Sequence, residues 1–450
     1  MRHILFAFCT GTLFLNGAVT RAQDNTVREL RYSGVLSQPR IDGEGVVLRR
    51  FEVLLLDSSE GTFFSVLDDD RDGSPWPESF GQLGSSTQGG ISNSPRTPRL
   101  VYKYEGSAYT IPLPPLRLAL PDDVRVGSAW QANSWTFEIA EAAKDGNQSV
   151  WKIDAREQRG RRQALKIAAD TGLLLTASQD VFMGQGEQFE LLLEQVAAAT
   201  VAESAQQHTQ QLRAQLLALQ TKLARRPDSQ QVELSPRQIA DTKLQMEALT
   251  ALAKGTPLQE TVLRISQDIA RQGRRVDEAM KRQQELTDKA SPDFALQLIP
   301  KGTLESSAFK GKTVVLHFWK YAEKPLSEPY GQVGYLEFLF NKRKQLSVEV
   351  VGVAVNPALQ QPDEVRSAVR STRKLMEFMN ITYPIGYDDG SLLQAFGDPR
   401  DSGGDLPLWV VVSPAGKVVH YHAGFYEIDR VEGLKQLDEI ILQQTKAAAE

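Results

Sequence analysis

The chain has 450 residues, a formal net charge of −5 and 24% charged residues with acids and bases interspersed. No basic stripe is interleaved with exposed-type aromatics, which excludes a nucleic-acid partner. One cysteine, Cys9, is the entire sulfhydryl complement, so thiol and disulfide chemistry have a single possible carrier.

Cys9 lies in a segment that reads as a removable leader. Arg2 supplies a positive start, Ile4 to Leu15 is mostly apolar, and Thr20-Arg21-Ala22 places small residues at a cleavage site. Residues 1–22 are therefore expected to be a signal peptide, and the protein to be exported to a periplasmic or extracellular compartment. Loss of Arg2 and Arg21 would take the net charge from −5 to −7. The apolar run is too short to span a bilayer, and no other run qualifies.

Residues 23–200 are predicted to form an antiparallel β domain, a sandwich or half-barrel. Arg28 to Tyr32 alternates, and Val46 to Leu56 places Val47, Phe51, Val53 and Leu55 on one parity. Further strands are expected at 63–67, 100–104, 108–111, 135–140, 150–155, 164–169, 173–178 and 187–196. A Gly/Ser/Pro-rich stretch, 68–98, interrupts them. It opens with Asp68, Asp70 and Asp72 ahead of Gly73, a weak calcium-loop candidate. The twelfth loop position holds Ser79 where a bidentate Glu belongs, so a solvated acidic turn is the simpler reading.

Residues 201–290 change to helical spacing. Leu212, Leu216, Leu219 and Leu223 form a stripe, and Val262, Ile265, Ile269, Val276 and Met280 form another. Ser235-Pro236 and Thr256-Pro257 each place a capping hydroxyl before a first-turn proline. Two readings stay open: a helical hairpin packed on itself, or a coiled-coil linker that makes a homodimer.

Residues 291–450 alternate strand and helix, with continuous apolar strands at 313–318 and 348–355, a helix at 362–379, a strand pair at 408–412 and 417–421, and a closing helix at 430–445. Pro292-Asp293-Phe294, the run Phe309 to Trp319, Val348 to Val355, Tyr383-Pro384-Ile385, Gly404-Asp405-Leu406-Pro407 and Gly416 to Val419 occur in one order. In that order they resemble the thioredoxin-like redoxins, which include periplasmic thiol-disulfide oxidoreductases and peroxiredoxins. The resemblance implies a thioredoxin-like α/β fold, a cis peptide before Pro407, and an active-site motif after Trp319. In one register the two family cysteines fall on Glu323 and Leu326; in another they fall near Ser327 and Tyr330. Neither register supplies sulfur.

The resulting expectation is a three-part exported protein with a redox-inactive redoxin domain that binds or scaffolds a protein or peptide partner. Trp319, Tyr330, Leu406 and Pro407 are the candidate binding residues, by strand addition at the cis-proline edge. The alternative is an enzyme, acting without cysteine through Glu323, Lys324 or Tyr330, or through an unrecognised activity of the β domain. No cofactor is implied. His420 and His422 share a strand face, with His317 on another strand of the same sheet and one strand expected between them; ordinary strand histidines are the preferred reading over a metal site.

Overall fold

The computed structural model describes residues 26–39, 45–59, 61–68, 83–86, 98–104, 107–158, 160–223, 234–320 and 332–447. The leader, Cys9, Asp70, Asp72 and the active-site-like segment 321–331 lie outside them.

The N-terminal strands are β1 (Arg28–Gln38), β2 (Val46–Ser58), β3 (Gly61–Asp68), β4 (Leu83–Ser86), β5 (Arg99–Tyr104), β6 (Ser107–Pro112), β7 (Ala129–Ala132), β8 (Trp135–Asp145), β9 (Gln148–Glu157), β10 (Arg162–Ala168), β11 (Leu174–Met183) and β12 (Glu187–Thr200). Ten of them form one sheet in the order β4-β3-β2-β1-β12-β11-β10-β9-β8-β7, and β5-β6 is a separate hairpin. The pairings within the sheet are antiparallel, and the first strand lies beside the last. Alternation works as the sequence predicts except at Val47, which is 45% exposed beside a register shift between β1 and β2. Phe51, Val53 and Leu55 enter a core with Tyr32, Ile139, Ile153 and Phe189, and residues Leu113, Leu116 and Leu118 cross that face and fill it.

The even positions Leu54 and Leu56, with Phe63, Leu67 and Leu83, face the other way. There they meet α1 (Glu203–Leu223), α2 (Pro236–Ala253) and α3 (Gln259–Leu286). The leucine stripe of α1 thus covers the β2–β4 end of the sheet. Each fully buried Leu, Val or Ile here stabilises by about 1.5–3 kcal/mol relative to exposure. Met280, assigned by spacing to an apolar stripe, is 41% exposed. Ser235 caps α2 through a capping box with Gln238. Thr256 does not cap α3: its hydroxyl bonds back to the Ala253 carbonyl, and the helix starts two residues past Pro257.

Helix α3 is about 42 Å long at 1.5 Å per residue. Its first half lies in the core under the β domain. Its far end delivers the chain to the C-terminal sheet, where Asp288 N–H donates to Val418 O and Val418 N–H donates to Lys289 O.

The C-terminal elements are β13 (Ala295–Ile299), β14 (Thr303–Glu305), β15 (Thr313–Lys320), α4 (Val333–Arg343), β16 (Val348–Val355), α5 (Val365–Phe378), β17 (Ile385–Tyr387), α6 (Ser391–Phe396), β18 (Leu408–Val412), β19 (Val418–Ala423) and α7 (Lys435–Ala447). The sheet order is β14-β13-β17-β16-β15-β18-β19, with β15-β16-β17 parallel and β18 antiparallel to β15. Apolar cores occupy both faces, which explains the unbroken valine runs. The Leu406–Pro407 peptide is cis, and so is Ile299–Pro300.

Candidate functional site

Strand β15 leads toward the position where the redoxin pattern places its active site. Its odd residues, Val315, His317 and Trp319, point to the face covered by α4 and α7; all three are 0% exposed. The indole of Trp319 lies over Gly352 of β16, where an added Cβ would sit 3.4 Å from Nε1 and 3.0 Å from Ile385 Cγ1. Glycine is what lets Ile385 and Tyr383 approach so closely there. Trp319 is therefore a core residue, which corrects its assignment as a contact on an open edge. Glu323, Lys324, Leu326, Ser327 and Tyr330 all fall outside the described residues.

Leu406 and Pro407 are buried at the entry to β18, Leu406 at 5% exposure. The Leu406 N–H, a donor an extended peptide would use, already donates to Asp405 Oδ1 at 2.9 Å. The Pro407 carbonyl accepts from Gly424 N–H at 2.7 Å, and Trp409 Nε1 donates to Gly424 O at 3.0 Å. The loop is stitched to the end of β19 on one side and capped by its own carboxylate on the other.

No motif or spacing in the chain points to Gln332. It sits just before α4 with φ +66° and no exposure. Its amide donates to Tyr426 O at 2.8 Å and accepts from Tyr426 N–H at 3.0 Å, so one side chain satisfies both main-chain groups of a residue 94 positions away. The Tyr426 hydroxyl in turn lies 2.7 Å from His420 Nε2.

His317, Trp409 and His422 stand directly opposite one another across β15, β18 and β19, with β18 as the intervening strand. His317 stacks on Trp409 at 3.9 Å and His422 on Tyr426 at 4.2 Å. The rings of His420 and His422 run parallel, 6.3 Å apart, so their lone pairs do not converge on one point. Among the described residues no group of three His, Cys, Asp or Glu is placed to hold a metal ion.

Burial lowers the pKa of His420 to about 4, and burial followed by the neighbouring His420 lowers that of His422 to about 4. Both are neutral at pH 7. As pH falls from about 6.5 toward 4, the unfolded chain takes up protons that the folded chain refuses, so stability falls over that window. We expect a loss of roughly 2 kcal/mol by pH 5 for the pair, after allowance for partial solvent screening. Thermal unfolding of wild type and of His420→Gln/His422→Gln between pH 7 and 5 checks this: the double variant should show the flatter profile.

Residues 287–421 match the model of the AhpC/TSA family. The C-terminal domain is a thioredoxin-like redoxin domain. The match spans the first strands of the redoxin domain through most of β19 and leaves the ten-stranded sheet outside. The redoxin domain is also similar to the thiol-disulfide oxidoreductase ResA of Bacillus thuringiensis subsp. konkukian (strain 97-27), with 25% identity over 158 residues, 35% of this chain and 78% of that protein. A Bacillus cereus (strain ATCC 10987 / NRS 248) ResA matches with the same figures. Among solved structures, a thiol:disulfide interchange protein of the thioredoxin family from Chlorobium tepidum TLS aligns at 19% identity and TM-score 0.28, covering 35% of this chain and 97% of that one. A thiol:disulfide interchange protein from Bacteroides sp. aligns at 16% identity and TM-score 0.26, covering 36% and 90%.

Proposed function

We propose that this protein is an exported binding or scaffolding protein whose redoxin domain works without thiol chemistry. The observation that carries the reading is the single cysteine at position 9, ahead of the whole redoxin match at 287–421. Thiol-disulfide exchange needs an attacking thiolate, and residues 10–450 contain none. The leader-like residues 1–22 support export, and no described helix is long and apolar enough to cross a membrane.

The chain processed after Ala22 is expected to show no insulin reduction and no thiol-dependent peroxide consumption. Turnover above a protein-free control, with processing verified by mass, would overturn the reading.

Binding of an extended segment at the cis-proline edge is the finer part of the proposal. Such a segment has to displace Asp405 from the Leu406 N–H. Asp405→Ala is therefore expected to tighten partner capture, and Tyr330→Glu to weaken it without shifting the melting temperature. Capture indifferent to both variants removes the edge from the proposal and leaves the domain as a folded scaffold.

A further inference from the structure

Two exposed surfaces on this chain complement each other in charge, apolarity and spacing. The first is the outer face of β12. Its even positions point away from the inner core: Glu190 is half-buried, Glu194 is exposed, and between and beyond them Leu192 and Val196 are 42% and 60% exposed. The register places Val35 and Ser178 beside Leu192 on that face. Helices α1–α3 cover the β2–β4 end of the sheet, and α3 reaches the edge of the strip, where Glu260 and Thr261 line a cleft with Val196.

The second surface is the outer stripe of α5. Its inner face buries Ala368, Thr372 and Leu375, while Arg366, Arg370 and Lys374 are exposed and Phe378 is 78% exposed. Arg373, off the stripe, is paired with Glu377. A phenyl ring so exposed at the end of a basic row is a large apolar group without cover.

The two repeats match. Every second residue of a strand advances by about 6.6 Å, and every fourth residue of a helix by about 6.0 Å. Laid alongside, Arg366 meets Glu190, the stem of Arg370 covers Leu192 and Lys374 meets Glu194; Phe378 then falls at the β1–β12 register shift, where Val196 is the bulged residue. Val196 borders a cleft of about 210 Å³, which Arg31, Ser33, Glu52 and Glu260 also line. That cleft offers a socket for the Phe378 ring.

We propose that the outer face of β12 is the docking site for α5 of a second copy of this chain. Within one chain α5 packs against Pro357–Gln360 and β13, and Leu192, Val196 and Phe378 stay exposed, which leaves these groups available to another molecule. The two surfaces differ, so the association is head-to-tail and builds open chains or a closed ring.

Sedimentation velocity of the full chain over a concentration series, at low and high salt, tests this. The expected result is concentration-dependent association that weakens with salt. Phe378→Asp should weaken it by about tenfold or more, as for an aromatic residue buried at an interface. Glu190→Lys/Glu194→Lys should do the same, with melting curves unchanged for both. Mixing that double variant with Arg366→Glu/Lys374→Glu should restore association that neither shows alone. A chain that is monomeric at every concentration and salt overturns the proposal. So does association indifferent to these variants, and so does α5-dependent binding to anionic phospholipid vesicles by a chain that stays monomeric.

Discussion

Replacing Asp438 by alanine is expected to destabilise the redoxin domain by roughly 2–4 kcal/mol. Asp438 lies in the first turn of α7 and is 4% exposed. Its carboxylate accepts from Arg343 Nε at 2.6 Å, Arg343 Nη2 at 2.8 Å and Lys342 Nζ at 2.9 Å. Both cations sit in the last turn of α4, where the helix end favours positive charge. The paired guanidinium bonds fix the crossing of the two helices as well as the charge balance. Alanine would leave two cations facing a dry gap. They retain partial access to water, which holds the cost below that of a fully buried broken pair. Burial works to raise the Asp438 pKa, but the bonds from Arg343 and Lys342 outweigh it and keep it below the usual carboxylate range. This stabilisation is present above the unfolded pKa near 3.9 and is lost as pH falls through the folded value, below the histidine window. Hydrogen exchange of α7 amides under increasing urea reads the local free energy. Equal protection in wild type and Asp438→Ala would show that the triad contributes nothing.

The sequence was most legible where one physical requirement set the pattern. A strand buried on both faces must be mostly apolar, and Val348 to Val355, with Glu349 near its start paired to Lys312, is bounded as its composition predicts. A half-buried strand must alternate, and β2 does from Arg49 to Val53; from Val53 to Asp57 it is buried on both faces, by the inner core on one and the helices on the other. The misses have equally physical causes. Strand β4, Leu83–Ser86, has little strand propensity of its own and exists through pairing with β3. Thr256 has the chemistry of a helix cap but spends its hydroxyl on the preceding helix. The pairing of β1 with β12 joins residues over 150 positions apart, which no local pattern reports.

The site was legible in its chemistry and not in its geometry. The missing cysteines could be counted, and the cis-proline loop could be aligned by motif. Whether Trp319 faced an edge or a core depended on what covers β15, and cores on both faces of that strand bury it whichever parity it takes. Asp405 reads as a loop acid until its oxygen is seen on the Leu406 N–H.

Gln332→Ala is expected to cost roughly 2–5 kcal/mol, because it strands two buried main-chain groups at about 1–3 kcal/mol each. Tyr426 is 1% exposed, so water cannot readily replace the lost amide. Its N–H and C=O were both held by Gln332. Gln332→Glu is expected to be nearly as damaging. A carboxylate still accepts from the Tyr426 N–H, but it has no donor for the carbonyl and carries a buried charge. Gln332→Gly separates the side chain from the backbone. Residue 332 has φ +66°, which costs a non-glycine residue about 1–2 kcal/mol. Glycine relieves that strain while losing both bonds, so it should fall between wild type and alanine. The expected order of stability is Gln, then Gly, then Ala and Glu. Urea denaturation of the four proteins checks it, and a glycine variant as stable as wild type would show that the clamp does not hold the fold. The clamp fixes the first residue of the frame that resumes after segment 321–331 and ties it to the loop beyond β19.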